Sequence, residues 1–166
     1  MTTSISPATL DDARAIAALR TQVARGMTRE FGKGHWSAIP SVAAVARQMR
    51  ASHVLVARRD GVIVGTVRLA VAQQWAIDSD SFTPAKRALY VLGLAVAPDV
   101  RKCGVGRALM EEAKVKARSW HAEALWLDAY DHPVGAGAFY EKCGFRAVGP
   151  SAQGVVPLIF YEWRAD

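Results

Sequence analysis

The feature that most constrains the fold is an apolar stretch followed by a basic, glycine-bearing turn. Residues 92–109 read LGLAVAPDVRKCGVGRAL, and the strand-like half of this segment stops at Pro98. The turn at residues 101–107 has three cations and two glycines, and a helix is expected to begin at about Val105. Backbone N–H groups that converge at a helix N-terminus beside cations bind anions. The pattern therefore predicts a strand–turn–helix unit that binds a pyrophosphate.

Length and composition restrict the class of protein. A chain of 166 residues, 51% of them hydrophobic, predicts one globular domain over residues 1–166. Residues 1–7 lack a signal-peptide pattern, and the longest apolar run, residues 88–98, is too short to span a bilayer. We therefore expect no membrane association. Two cysteines, Cys103 and Cys143, make neither a disulfide framework nor a zinc site, so we expect a cytoplasmic protein without a metal.

The net charge of +6 raises the alternative of nucleic-acid binding. The basic residues are scattered, however, and no stretch alternates aromatic with basic residues in the manner of a single-strand binder. A local cationic pocket for a small polyphosphate accounts for the charge as well. We therefore expect no nucleic-acid partner.

Apolar periodicity and turn signals predict the order β-α-α-β-β-β-α-β-α-β-β. Ile5 lies on a short first strand, and Thr9 caps a first helix from Leu10 to Val23. Residues 25–40 are loop-like, and Ser41 caps a second helix that ends near Arg50.

The second half of the chain is richer in strands. Residues 54–58 and 62–71 form a hairpin through Asp60-Gly61, and a long polar connection follows at residues 72–87. Further strands are predicted at residues 89–97, 125–130, 145–148 and 155–163. A short helix opens at Asp131-His132-Pro133 and ends at Gly144.

Two motifs in these elements carry a family resemblance. The first is Arg101-Lys102-Cys103-Gly104-Val105-Gly106 after a strand. The second, about 35 residues on, is the strand–helix–strand LWLDA…AGAFYEKCGF over residues 125–145. The chain resembles the GNAT superfamily of N-acetyltransferases, and the element order upstream also matches. The resemblance implies an α/β single-domain fold. Its mixed, mostly antiparallel central sheet would have six to seven strands, flanked by about four helices.

The resemblance also implies an activity and site residues. The activity is direct transfer of an acetyl group from acetyl-CoA, a co-substrate, to a primary amine. The pantetheine arm would pair with the strand at Leu94, Ala95 and Val96, which is splayed from its neighbour near Asp128. The N–H of Leu94 or of a neighbour would stabilise the oxyanion, and Tyr140 would give the leaving thiolate a proton or a hydrogen bond. The residues implied for the pyrophosphate are Arg101, Lys102, Cys103, Gly104, Val105, Gly106 and Arg107.

Two aspects of the site depart from the family or stay open. Pro133 stands where the second motif usually has Asn, seven residues before its Tyr, so a contact to pantetheine is lost or moved to Asp131, His132 or the backbone. The general base is undetermined. The candidates lie in the two loops expected to wall the acceptor cleft, where Trp36 and Trp75 could also lie. The candidate bases are Glu30, His35, Asp78 and Asp80.

Other functions remain open at this point. A Rossmann-type nucleotide enzyme is disfavoured because the turn lacks a third spaced glycine and a following acidic residue. A non-catalytic acyl-CoA sensor on the same fold is the main alternative. The acceptor is a small-molecule amine or a peptide, and a homodimer could form through the strand at residues 155–163.

Overall fold

A computed structural model describes residues 2–71, 79–151 and 156–166. Within them, seven strands and four helices follow the predicted order. The strands are β1 Thr3–Pro7, β2 His53–Arg59, β3 Val62–Val71, β4 Ala88–Val96, β5 Ala124–Tyr130, β6 Arg146–Pro150 and β7 Leu158–Arg164. The helices are α1 Ala13–Phe31, α2 Val42–Ala51, α3 Val105–Ser119 and α4 Gly137–Lys142.

The strands form one sheet in the order β1-β2-β3-β4-β5-β7-β6. The pairs β1–β2, β2–β3, β5–β7 and β6–β7 are antiparallel, whereas β4 and β5 are parallel. The recorded parallel ladder begins at Ala88 with Ala124 and ends at Tyr90 with Trp126. The expected mixed, mostly antiparallel α/β fold is therefore confirmed.

The chain divides into two compact units, and the first comprises Met1–Leu69 with Leu92–Glu112. Its core joins α1, α2 and β2 through apolar side chains that are at most 6% exposed, among them Ile16, Val45 and Val54. Ile16 lies at helical spacing from Ala13 and Ala17, which are also buried, so these residues form one buried face of α1. Each such side chain contributes about 1.5–3 kcal/mol relative to exposure.

The second unit comprises Ala70–Val91 with Ala113–Asp166. Phe82 stacks on Trp126 with ring centroids 4.5 Å apart and contacts Phe160 at 5.0 Å. Buried Glu162 accepts hydrogen bonds from both the N–H and the Oγ1 of Thr83, and Arg146 pairs with it at 2.5 Å. The carboxylate is buried at an energetic cost that these three donors offset.

The Ser41 cap and the hairpin turn form as predicted, whereas the Thr9 cap forms only in part. The Ser41 Oγ accepts from the Ala44 N–H at 3.1 Å. The Asp12 carboxylate accepts from the Thr9 N–H at 2.9 Å, but the Thr9 side chain makes no capping bond, and Leu10–Asp12 is a 3-10 turn before α1 begins at Ala13. Asp60 and Gly61 have φ values of 52° and 78°, as a tight hairpin turn requires.

Two predicted boundaries are wrong. The segment 25–31, expected as loop, belongs to α1, which ends at Gly32 with φ 81°. Gly26 costs a helix only about 1 kcal/mol, and partly buried neighbours in the segment offset this. The second error concerns Pro133, which lies in a turn. The helix begins four residues later, at Gly137.

Some predictions fall on residues outside the described ones. These are the predictions for Trp75, Asp78 and Val155. In the described part of the chain, no helix is long and apolar enough to cross a membrane.

Candidate active site

The end of β4 leads directly into the predicted anion-binding turn, and both lie in the first unit. Leu94 and Val96 are half-buried, and Ala95 between them is buried, as alternation in a strand requires. Gly93 has a φ of 62°, so regular strand geometry is interrupted immediately before Leu94. The Ala97 N–H donates to the Val64 carbonyl at 2.8 Å, which ties the strand end to β3.

The turn has the backbone conformation that an anion site needs. Lys102 and Gly104 both have positive φ, 63° and 84°, a left-handed geometry that can direct successive N–H groups to one side. Among the described residues, no backbone acceptor is recorded for the N–H groups of Lys102 and Gly104. The Cys103 N–H makes a long bond of 3.3 Å to the Val100 carbonyl.

Helix α3 adds further N–H groups to the turn. It begins at Val105, so the N–H groups of Val105, Gly106 and Arg107 lie in its first turn and have no helical acceptor. The side chains of Arg101 and Arg107 are exposed, as is that of Lys102. Free N–H groups, a helix N-terminus and three cations therefore occur together.

Gly65 on β3, which sequence reasoning missed, allows this helix to pack closely. A Cβ at Gly65 would lie 2.9 Å from Leu109 Cδ1 and 3.0 Å from Val105 Cγ1. Because Gly65 has no side chain, the first turns of α3 can pack directly against β3. A glycine inside an apolar strand is the signal that could have revealed it.

Tyr140 lies on α4 in the second unit and is buried, 8% exposed. Its ring packs against Phe139, Phe145 and Tyr161, with centroids 5.3 to 6.2 Å away. Burial first, and then the negative charge of Asp128, raises the pKa of the Tyr140 phenol above its ordinary value of 10.0. Among the described residues, the Tyr140 hydroxyl has no hydrogen bond, and its raised pKa keeps it protonated at neutral pH.

Asp128, on β5, is a charged group that affects the pKa values of three tyrosines. Its Oδ2 accepts a hydrogen bond of 2.6 Å from the Tyr90 hydroxyl. Burial and the Asp128 charge raise the pKa values of Tyr90 and Tyr130, as they do for Tyr140. An acidic residue inside the apolar run LWLDA was the sequence signal for this cluster, which the sequence alone assigned only to a splayed strand.

The loop at the departure from the family motif is closely fitted. The Val134 N–H donates to His132 Nδ1 at 3.0 Å, and the Gly135 N–H donates to the His132 carbonyl at 2.7 Å. A Cβ at Gly135 would collide with the Tyr130 carbonyl oxygen, so only glycine fits there. His132 thus organises the turn that contains Pro133.

The candidate bases are dispersed. Glu30 on α1 and His35 after it are exposed in the first unit, and Asp80 is exposed in the second. Trp36 donates from Nε1 to the Gly32 carbonyl at 2.9 Å, which anchors its loop. No cluster of three or more potential metal ligands occurs among the described residues.

Comparison with protein families settles the membership of the chain. A family model described as the acetyltransferase (GNAT) family matches residues 22–145, well over half of the sequence. The chain belongs to this GNAT acetyltransferase family. It is therefore an enzyme of the transferase class. The matched range includes the turn at residues 101–107 and Tyr140, and it ends where β6 is about to begin.

Solved structures with the GNAT fold cover the chain nearly end to end. The PaiA N-acetyltransferase of Thermoplasma acidophilum, in complex with coenzyme A, is 15% identical with a TM-score of 0.77, and the match covers 99% of this chain and 100% of that one. YncA of Salmonella typhimurium, solved with its cofactor acetyl-CoA, is 16% identical with a TM-score of 0.71, covering 100% and 95%.

A third solved structure is a ribosomal-protein-alanine N-acetyltransferase from Brucella melitensis. It is 19% identical with a TM-score of 0.74, and the match covers 98% of this chain and 99% of that one. At these identities the likeness shows the fold. A search of curated proteins gives no significant match.

Proposed function

We propose that this GNAT protein, acting as one domain, transfers the acetyl group of acetyl-CoA to a primary amine. The turn after β4 is the observation that carries the proposal. Positive φ at Lys102 and Gly104, N–H groups without backbone acceptors and the start of α3 at Val105 occur within four residues. This combination suits a pyrophosphate, whose oxygens accept several N–H bonds at once.

Backbone and side-chain groups of the turn contribute differently to binding the pyrophosphate. Backbone N–H groups bind the oxygens directly, and the long bond at Cys103 can be shared with a ligand. The exposed cations add long-range attraction. The proposed binding residues are Arg101, Lys102, Cys103, Gly104, Val105, Gly106 and Arg107.

The strand before the turn supports the pantetheine arm in this proposal. Leu94, Ala95 and Val96 offer backbone groups to an extended ligand, in the manner of an added strand. The recorded ladder of β4 with β5 stops at Tyr90, whereas β4 itself continues to Val96. Within the described residues, β4 is not paired with β5 beyond Tyr90, and this supports a role of that stretch in ligand binding.

The chemical step needs a donor that stabilises the carbonyl oxygen, a base that accepts a proton from the amine, and a donor for the leaving thiolate. The amine nitrogen forms a bond to the thioester carbon, the carbon–sulfur bond breaks, and the amine loses a proton to a base. The Leu94 N–H donates to the carbonyl oxygen as negative charge develops there. Tyr140 donates a hydrogen bond or its proton to the leaving thiolate of coenzyme A.

The raised pKa of Tyr140 supports a role as a hydrogen-bond donor. The phenol stays protonated at neutral pH and so can donate to the leaving thiolate. The ordinary pKa of a thiol is near 8.5, so raising the phenol pKa makes complete proton transfer to the thiolate less favourable and a donated hydrogen bond the main contribution.

The acceptor in this proposal is a small-molecule amine or a peptide, and the compartment is the cytoplasm. In the described part of the chain neither Cys103 nor Cys143 forms a disulfide, which agrees with a reducing compartment. A homodimer that extends the sheet would use an edge strand, β1 or β6, and not the strand within residues 155–163, because β7 already pairs with β5 and β6.

An acetyl-CoA turnover screen tests the function. Purified protein is incubated with acetyl-CoA and a panel of amines and peptides, and free thiol is measured. The proposal expects thiol release above the no-amine rate for at least one acceptor. Thiol release at the no-amine rate throughout, with acetyl-CoA bound, would favour the alternative of a non-catalytic acyl-CoA sensor.

A further inference from the structure

A pocket in the first unit joins α1 and α2 to the strands β2, β3 and β4. Its free volume is about 10 Å³, room for about one water-sized group. The lining combines apolar side chains with those of two arginines. Its lining residues are Ile16, Arg20, Val45, Gln48, Met49, Val54, Thr66, Arg68 and Gly93.

The two arginines of this pocket have neutral partners only. Arg20 donates from Nη1 to Gln48 Oε1 at 2.7 Å, and Arg68 donates from Nη1 to Ser52 Oγ at 3.5 Å. Among the described residues, no carboxylate pairs with either guanidinium and none lines the pocket. Both side chains are partly buried, so neither charge is fully hydrated.

Arg68 is the less well satisfied of the two. Its Nε is buried and has no hydrogen-bond partner among the described residues. Burial first, and then the charge of Arg20, lowers the pKa of Arg68 to about 10. A partly buried pair of like charges with an unused donor is costly, and a bound anion would relieve both costs.

The pocket reaches the strand proposed to hold the thioester. Gly93 lines it, and Leu94, the proposed oxyanion donor, is the next residue. A Cβ at Gly93 would lie 3.6 Å from Arg68 Nε, an ordinary contact distance, so the Arg68 side chain lies beside the backbone of Gly93. A carboxylate held by the two arginines would thus lie close to Leu94.

We propose that Arg20 and Arg68 bind a carboxylate of the acceptor, so that the substrate is an amino acid or a similar amino carboxylate. This inference rests on the proposed function and specifies its acceptor. Guanidinium groups bind carboxylates with paired, charge-assisted hydrogen bonds. The pocket has room for a small polar group and not for a side chain, so the rest of the acceptor would lie outside it. Two cations repel a polyamine.

Binding of amino acids measured by calorimetry, in the presence of coenzyme A, tests the pocket. The panel contains the N-acetylated common amino acids and their N-acetylated amides, which differ only in the carboxylate. We expect at least one acid to bind about tenfold or more tightly than its amide. If every amide binds as tightly as its acid, or no acid binds, the proposal is wrong.

Variants identify the residues responsible. Arg20→Gln and Arg68→Gln are each expected to remove the preference for the acid, raising its Kd about tenfold while leaving the amide unchanged. Arg25→Gln is the matched control, because Arg25 is an exposed arginine on the same helix. Retention of the preference in both pocket variants, each shown to fold by circular dichroism, would overturn the assignment.

Kinetics separate this inference from the proposed function. Acetylation of amines with no preference for the acid would overturn the pocket assignment and leave acetyl transfer intact. Acid-selective binding without acetylation of any amine would support the pocket and count against the proposed function. In an active enzyme, the two pocket variants should raise KM for the amino acid and leave kcat within about twofold.

Discussion

The Tyr90 hydroxyl donates a hydrogen bond of 2.6 Å to Asp128 Oδ2. This bond joins β4 to β5 at the point where their parallel pairing ends. Burial, the charge of Asp128 and the bond itself all raise the pKa of Tyr90. The same carboxylate raises the pKa of Tyr140, with which it has no recorded hydrogen bond. Asp128 thus keeps several phenols protonated at once.

The Asp128→Asn substitution separates the charge of this residue from its hydrogen bond. The amide oxygen of the variant can still accept from Tyr90, so the fold should persist, but the pKa values of Tyr90, Tyr130 and Tyr140 should fall. Ultraviolet titration of the phenols measures this. Glu141→Gln is the control, since the Glu141 charge raises the pKa of Tyr161 and its loss should affect that phenol instead. Unchanged titration in Asp128→Asn would contradict the account.

Tyr140→Phe tests the proposed acid. Loss of a positioned acid costs about 10²-fold or more in rate, so kcat should fall by that order while the affinity for acetyl-CoA stays nearly constant. Tyr161→Phe is the matched control, because it removes a hydroxyl from the same aromatic cluster. Equal kcat in the two variants would remove the role assigned to Tyr140.

Gly65→Ala tests the seating of helix α3. The new methyl group would contact Leu109 and Val105 too closely, and overpacking of this kind costs about 1–3 kcal/mol of unfolding free energy. The affinity for acetyl-CoA should fall as well, because the helix N-terminus shifts. Gly26→Ala, at an open position in α1, should instead stabilise the protein by about 0.5–1 kcal/mol. Chemical denaturation compares the two, and a neutral Gly65→Ala would refute the close packing.

Glu162 makes stability depend on acid pH. Burial opposes its ionisation, but the hydrogen bonds from Thr83 and Arg146 outweigh burial and lower the pKa below the ordinary value of 4.5. The stabilisation is therefore present above pH about 4.5 and is lost as pH falls through the lowered pKa. Glu162→Gln should be less stable at neutral pH and less sensitive to acid. Denaturant unfolding between neutral and acidic pH measures both, and parallel stability curves for the two proteins would show that this carboxylate has no such role.

Local sequence signals predicted most of the helices, strands and turns. They failed where contacts with residues distant in sequence, or folded loop geometry, decide where an element begins or ends. The Asp60-Gly61 turn, the Ser41 cap and the start of α3 at Val105 depend on nearby residues, so the sequence revealed them. The extension of α1 to Phe31 depends on burial of its last turns, which outweighs Gly26. The turn at Pro133 depends on His132 and Gly135, which contact the backbone through folded geometry.

Parts of the candidate site that are continuous in sequence were predictable, and parts that folding brings together were not. The turn at residues 101–107 is continuous in sequence, and glycine at 104 predicted the positive φ there, whereas the positive φ of Lys102 does not follow from its residue type. The pocket of Arg20 and Arg68 joins residues that are distant in sequence and lie on different elements, so no local pattern contains it. Gly65 and Asp128 were visible only as exceptions within apolar strands, whose meaning came from the side chains packed against them.

The most direct test of the central claim traces the acetyl group itself. Acetyl-CoA labelled in the acetyl carbons is incubated with the protein and a panel of amino acids and other amines, and the products are analysed by mass spectrometry. We predict labelled N-acetyl product in amounts equal to the free coenzyme A released. Acetyl-CoA that binds but yields no labelled amide with any amine would contradict acetyl transfer by this protein.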